Sequence, residues 1–111
     1  MVRGRDLVKG SIDSLILSLV YQQPMYGYQI IKELEGRSQG YFKFKEGTLY
    51  PALHRLEKAG LVIGRWQTLP GGRRRRYYHI TEKGRSILVE KRAQWREFFA
   101  AMNLIIQPAN A

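Results

Sequence analysis

The chain contains no cysteine. This excludes a disulfide framework and any thiolate metal site, and it fits a cytosolic setting. Histidine is scarce: His54 and His79 are the two, on separate predicted elements and without a carboxylate at ligand spacing, so no metal is expected. Apolar runs such as Leu15-Ile16-Leu17 and Leu104-Ile105-Ile106 are far too short to span a bilayer, so no membrane partner is expected. No sustained apolar stretch follows Arg3 and Arg5, and no signal peptide is read. Walker loops, G-x-S-x-G and credible paired carboxylates are missing as well, so neither catalysis nor a cofactor is expected.

Acidic residues are also in short supply. Nine Asp and Glu face nineteen Lys and Arg, giving a net charge of +10 over 111 residues. The excess is concentrated. Between Lys43 and Arg85 there are eleven basic residues and three acidic ones, Glu46, Glu57 and Glu82, which is +8 of the +10. A localised basic surface points to a polyanion, although charge can also serve solubility alone. The length fits one small domain with a thin stability margin.

Residues 1–10 are polar and mixed and read as a short arm. Ile12, Leu15, Ile16, Leu19 and Val20 then recur at helical spacing, with Ser11 as a candidate N-cap and Pro24 as the stop. Gly27, Ile30, Ile31 and Leu34 share one face of a second helix. Phe42 and Phe44 alternate with Lys43 and Lys45, suggesting a short extended piece. A third helix spans Glu46 to Ala59, with Leu49, Ala52, Leu53 and Leu56 as its core stripe, Pro51 inside it, and Gly60 where a C′ glycine belongs. The period then changes to two. Val62 to Thr68 and Arg74 to Ile80 read as strands joined by a Pro-Gly-Gly turn. Thr81 caps a last helix carrying Leu88, Trp95 and Met102 seven apart, with Phe98 and Ile105 offset by three: a heptad seam interrupted by Lys91 and ended by Pro108. The fold class is mainly α with a small β hairpin. Residues 1–80 form a winged helix-turn-helix with an N-terminal arm, and residues 81–108 a C-terminal dimerisation helix, within one compact unit.

The third helix presents Thr48, His54, Arg55 and Lys58 opposite its core stripe, and Tyr50 can offer its hydroxyl to a phosphate. Such a face suits the major groove; the same pattern also fits an ordinary surface helix. The run Arg73-Arg74-Arg75-Arg76 sits at the hairpin tip, where arginines neutralise phosphates or enter a narrow minor groove. The alternative is a solvated loop, but the flanking aromatics favour an ordered wing. On the last helix, Leu88, Trp95, Phe98, Phe99, Met102, Ile105 and Ile106 form a stripe that, with Leu15 and Leu19 of the first helix, is expected to lie at a homodimer interface. A gap between two indoles at a two-fold axis would suit a planar aromatic ligand, with Trp95, Phe98 and Phe99 as its binding residues; plain dimer packing is the alternative.

Three motifs match a known family. Tyr26-Gly27-Tyr28 with Ile30, then Gly47 to Glu57 running on to Gly60-Leu61-Val62, then Gly72 to Arg75 with Tyr77-Tyr78 and Ile80 to Gly84, resemble the PadR family of transcriptional regulators over roughly residues 11–90. One departure is Lys45-Glu46, where members often carry Ser-Pro. The resemblance implies a winged-helix repressor acting as a dimer, its last helix pairing with the partner's first, and some members bind flat aromatic or drug-like compounds against a Trp comparable to Trp95. The expected function is a dimeric, cytoplasmic, nucleoid-associated regulator that binds an inverted-repeat operator in double-stranded DNA and is relieved by a small aromatic ligand. The alternative is a basic RNA-binding or nucleoid protein without sequence preference. A third reading, a protein-interaction module, does not account for the local charge.

Overall fold

Ile12, Ile16, Leu19 and Val20 lie on one face of the first helix, and all four are buried. They anchor a core shared with Ile30 and Leu34 of the second helix and Leu49, Leu53 and Leu56 of the third. A computed structural model describes the backbone of residues 4–107 and the side chains of residues 11–107. Its elements are α1 (Gly4–Gln22), β1 (Met25–Tyr26), α2 (Gly27–Arg37), α3 (Glu46–Lys58), β2 (Val62–Thr68), β3 (Arg74–Ile80) and α4 (Glu82–Ile106). The strands form one antiparallel sheet in the order β1-β3-β2, with Val62 opposite Ile80 and Thr68 opposite Arg74. The fold class is therefore the expected one, mainly α with a small sheet.

Several local expectations change. Helix α1 begins at Gly4, so Ser11 is interior and not an N-cap. No proline interrupts residues 4–10, and Gly10, the glycine interior to the helix there, is only a weak breaker once a helix has nucleated. The first three residues of the expected arm lie outside the described residues, as does Pro108. Phe42 and Phe44 do alternate in burial with Lys43 and Lys45, but they join no ladder. Phe44 is buried, and its ring stacks on Phe42 at 6.0 Å. Strand β1 was not expected, because two residues are too few for a periodic signal. It pairs Met25 with Tyr78 and Tyr26 with Tyr77, adding a third strand to the hairpin.

The start of α3 has no capping hydroxyl. Lys45 stands at the N-cap without a side-chain bond, and its carbonyl accepts from the N–H groups of Thr48 and Leu49, both at 3.0 Å. Glu46 in the first turn favours the helix dipole instead. The other end is closed by Gly60 at φ 78°, the left-handed conformation that a C′ glycine supplies.

Helix α4 is fixed at its beginning. The Thr81 hydroxyl accepts from the Gly84 N–H at 3.0 Å and donates to the Gly60 carbonyl at 2.6 Å. Gly84 is buried against the Leu61 carbonyl, where a Cβ would collide with backbone. Leu88 is 1 % exposed and Leu19 is 4 % exposed. Both, read from the sequence as interface residues, pack within the chain's own core. Beyond Trp95 every described residue is exposed. The molecule extends over 60 × 28 × 23 Å, long for its size because α4 projects past the rest.

Two substitutions separate these contacts. Gly84→Ala is expected to destabilise by about 2 kcal/mol through overpacking against backbone, and Thr81→Ala by about 1 kcal/mol through loss of the cap. Urea unfolding followed by far-ultraviolet circular dichroism reads both, and equal midpoints for the parent and Gly84→Ala would contradict the close approach.

Candidate nucleic-acid interface

Packing on one side of α3 dictates what the other side can present. Leu49, Ala52, Leu53 and Leu56 are buried, while Thr48, Pro51, His54, Arg55 and Lys58 are exposed. Arg55 is engaged: its guanidinium donates to the Asp13 carboxylate of α1 at 3.1 Å. Both side chains remain about half exposed, so the pair adds little stability. Tyr50 is not on this outward face. Its ring packs over Gly27, where a Cβ would collide with it, and burial, followed by the nearby Glu46 carboxylate, raises its hydroxyl pKa above the ordinary value.

Distance from the tip and alternation both divide the wing arginines. Arg73 and Arg74 are exposed, whereas Arg75 and Arg76 are half-buried. Trp66 lies opposite Arg76 in the ladder, and the guanidiniums of Arg74 and Arg76 stand 5.0 and 6.0 Å from its ring centre. On the other face, Arg75 covers the Tyr26 ring at 3.9 Å and donates to the Tyr77 hydroxyl at 3.4 Å. This bond is the main cause of its raised pKa. Arginine over an aromatic ring is an attractive arrangement. Here the rings support the arginines, and Arg74 remains exposed to solvent.

Arg76 is committed within the chain. It donates to Glu57 of α3 at 2.6 Å, and the same Glu57 oxygen accepts from the Gly64 N–H of β2 at 3.2 Å. Between α3 and the wing lies a cleft of about 390 Å³, lined by Tyr26, Tyr28, Tyr50 and Trp66 together with His54 and Arg74 to Arg76. Sequence reasoning picked out the arginines, His54 and Tyr50, and missed the rest of the cleft's aromatic wall. Tyr26 and Tyr28 were legible as the two tyrosines flanking Gly27, but nothing in their spacing shows that they reach the wing. Glu57 was visible as one of three acids within a basic stretch.

A second surface lies between α1 and α4. A groove of about 460 Å³ is walled by Leu15, Leu88, Trp95, Phe42 and Phe99, with Ser11, Ser14 and Ser18 along α1 and Arg92 and Arg96 beside them. The Trp95 indole N–H donates to the Ser14 hydroxyl at 3.4 Å, its ring stacks on Phe99 at 5.4 Å, and it meets Phe98 edge to face at 5.9 Å. Phe98 and Met102 continue into a neighbouring cavity of about 230 Å³. The three residues expected around a ligand are thus adjacent in one chain. Leu104, Ile105 and Ile106 are far out on α4, with Leu104 and Ile105 at 84 % and 85 % exposure. Among the described residues no cluster of His, Asp and Glu forms a metal site, and no helix is long and apolar enough to cross a membrane.

Three helices, a hairpin carrying arginines at its tip and an outward α3 face define a winged helix-turn-helix. The model of the PadR-like family of transcriptional regulators matches residues 16–90, and the chain belongs to that family. It is 34% identical over 93 residues to the transcriptional regulator Rv3488 of Mycobacterium tuberculosis, covering 84% of this chain and 83% of the relative. A transcriptional regulator from Clostridium thermocellum superimposes with a TM-score of 0.84 at 32% identity, covering 96% of this chain and 100% of the other. A PadR family regulator from Clostridium difficile gives a TM-score of 0.77 at 37% identity, covering 87% and 99%. The chain is therefore a transcriptional regulator, which places its function in control of transcription and not in catalysis.

The buried tyrosines predict an alkaline limit. Burial raises the hydroxyl pKa values of Tyr78 and Tyr50 above their ordinary value of 10.0. The unfolded chain then releases these protons first, so the associated stability is present below pH 10 and is lost as pH rises through the higher folded values. Urea midpoints are expected to hold up to about pH 9 and to fall above pH 10. Tyr78→Phe should flatten that fall; an unchanged slope would reject this assignment.

Proposed function

We propose that the chain is a repressor that binds an inverted-repeat operator in double-stranded DNA as a homodimer, in the cytoplasm and on the bacterial chromosome. The observation that carries this reading is the pairing of an unpacked α3 face, Thr48, His54, Arg55 and Lys58, with exposed wing arginines within a stretch that holds +8 of the net charge. Phosphates answer to the wing, and base edges to the helix. Arg73, Arg74 and Arg75 are the proposed wing contacts. Tyr50 and Arg76, turned toward the body of the domain, take supporting places.

Dimerisation is supported by the apolar residues that one chain leaves uncovered on α4. Phe98, Phe99, Met102, Ile105 and Ile106 are all exposed, a stripe that water does not favour. With Leu15 and Trp95 they form the surface proposed to pair. The groove beside Trp95 is the proposed ligand site, and a ligand there relieves repression. Its wall is apolar and aromatic, and its charged residues are arginines with no carboxylate. This favours planar compounds that are neutral or anionic over cationic ones.

Gel shift against a duplex selected from a random pool tests the DNA reading. Half-sites are expected about one turn, roughly 34–36 Å, apart. Arg74→Ala and Arg75→Ala should weaken all duplexes alike, each lowering the salt slope by about 1, whereas His54→Ala should cost about 1–3 kcal/mol on the selected site alone. A protein that binds selected and scrambled duplexes equally at every salt concentration is a non-specific nucleic-acid binder, and the repressor reading fails.

The dimer and the ligand are separable. Sedimentation is expected to show a dimer that Phe99→Asp disrupts, because a charge in an apolar seam is costly. Planar aromatic acids should quench tryptophan emission in the parent and not in Trp95→Ala, where Trp66 remains. A stable parent monomer contradicts the first claim; quenching that persists in Trp95→Ala contradicts the second.

A further inference from the structure

The geometry points to Glu57 as the residue that fixes the wing to the DNA-facing helix and so sets the spacing between the two contact elements, with Arg76 and Gly64 as the other parts of the clamp. The inference rests on the DNA-binding reading above and adds to it a positioning residue that makes no DNA contact.

Glu57 is on α3, Gly64 on β2 and Arg76 on β3. A single carboxylate oxygen, Oε2, accepts from the Arg76 guanidinium at 2.6 Å and from the Gly64 N–H at 3.2 Å. One side chain of the helix therefore holds both strands of the wing. Strand β2 is at the edge of the sheet, so part of its backbone faces away from β3, and the Gly64 N–H is available to α3. Glycine is required there for a second reason. A Cβ at Gly64 would collide with the Arg76 Nε and crowd the rest of the guanidinium. The guanidinium thus lies flat on the strand, reaches Glu57 with one nitrogen, and leaves its Nε buried without a partner. That orphaned donor is a cost, offset by the charge-assisted bonds to Glu57. Trp66 flanks the same guanidinium, so its fluorescence reports on the clamp. Three amino acids close a joint between α3 and both strands of the hairpin.

Base contacts and wing contacts must be made together by one rigid unit. If the joint loosens, α3 still docks and the wing still finds phosphates, but no longer at one fixed separation. A released Arg76 is one more cation for any duplex. Loss of the clamp therefore lowers discrimination while raising affinity for random DNA, a combination that ordinary destabilisation does not produce.

The test introduces Glu57→Gln and, as a second route, Gly64→Ala into the unaltered chain for DNA binding, and into Trp95→Phe protein, in which Trp66 is the sole tryptophan, for fluorescence alone. Without DNA, acrylamide quenching of Trp66 is expected to rise about twofold in either variant as the guanidinium leaves the ring. With DNA, the ratio of affinities for a duplex selected by the parent and for a scrambled one should fall about tenfold, the random duplex being bound more tightly and with a steeper salt slope. Adding Arg76→Gln to Glu57→Gln should abolish the gain on random DNA and leave the ratio low. Unchanged quenching in both folded variants overturns the clamp, whatever happens with DNA. Raised quenching with an unchanged ratio overturns its role in recognition. A parent that selects no duplex at all defeats the DNA-binding reading itself, and the positioning role falls with it.

Discussion

One helix has to satisfy two opposed requirements, and the rest of the molecule is arranged around it. Helix α3 buries Leu49, Ala52, Leu53 and Leu56 while keeping its other side clear. Each fully buried leucine contributes on the order of 2 kcal/mol, so three of them tie the helix firmly to α1 and α2. Nothing large is then needed outside. Pro51 stands on the open side, in the second turn, where it removes the N–H that would otherwise bond the Gly47 carbonyl. Helices α1 and α2 meet α3 from within, and the sheet closes the remaining side through Val62 and Tyr78.

The wing is positioned by the same economy. A two-stranded hairpin alone is marginal in water, yet this one stands out from the domain. It is supported by the added strand β1, by Tyr78 reaching into the core, and by the carboxylate bridge from α3. The tyrosines on the two sides of Gly27 have distinct surroundings: Tyr26 lies under Arg75, while Tyr28 meets Lys32 at 5.4 Å. A single short motif therefore serves both the sheet and the second helix.

Much of this was legible in the residues because periodicity is a local signal. The stripes of α2 and α3, the two long strands, the cap at Thr81 and the glycine after α3 all follow from spacing and residue chemistry within a few positions. What escaped depends on contacts between distant segments. Strand β1 is too short to have a period and exists because β3 offers it an edge. Leu88 reads as one more seam residue, and only the fold shows that it faces the core while Phe98 and Phe99, a few turns on, do not. The same holds for the set proposed to face DNA: His54 and Lys58 are exposed on α3 as their spacing suggests, but Tyr50 and Arg76 are drawn inward by Gly27 and Glu57, partners 23 and 19 positions away.

Stacking of the wing arginines on Trp66 and Tyr26 has a thermodynamic consequence. A fully mobile arginine carries about 2 kcal/mol of rotamer entropy, much of which it would surrender on meeting a phosphate. Arg74 and Arg75 rest on rings, so part of that ordering is completed when the chain folds and need not recur at contact. Arg73, exposed at the tip beside the turn glycines, lacks such a support among the described residues. The wing is thus graded from arginines stacked on rings to one without a ring beneath it: in the proposed DNA complex the stacked pair would meet phosphate already ordered, and the tip would be ordered only on contact.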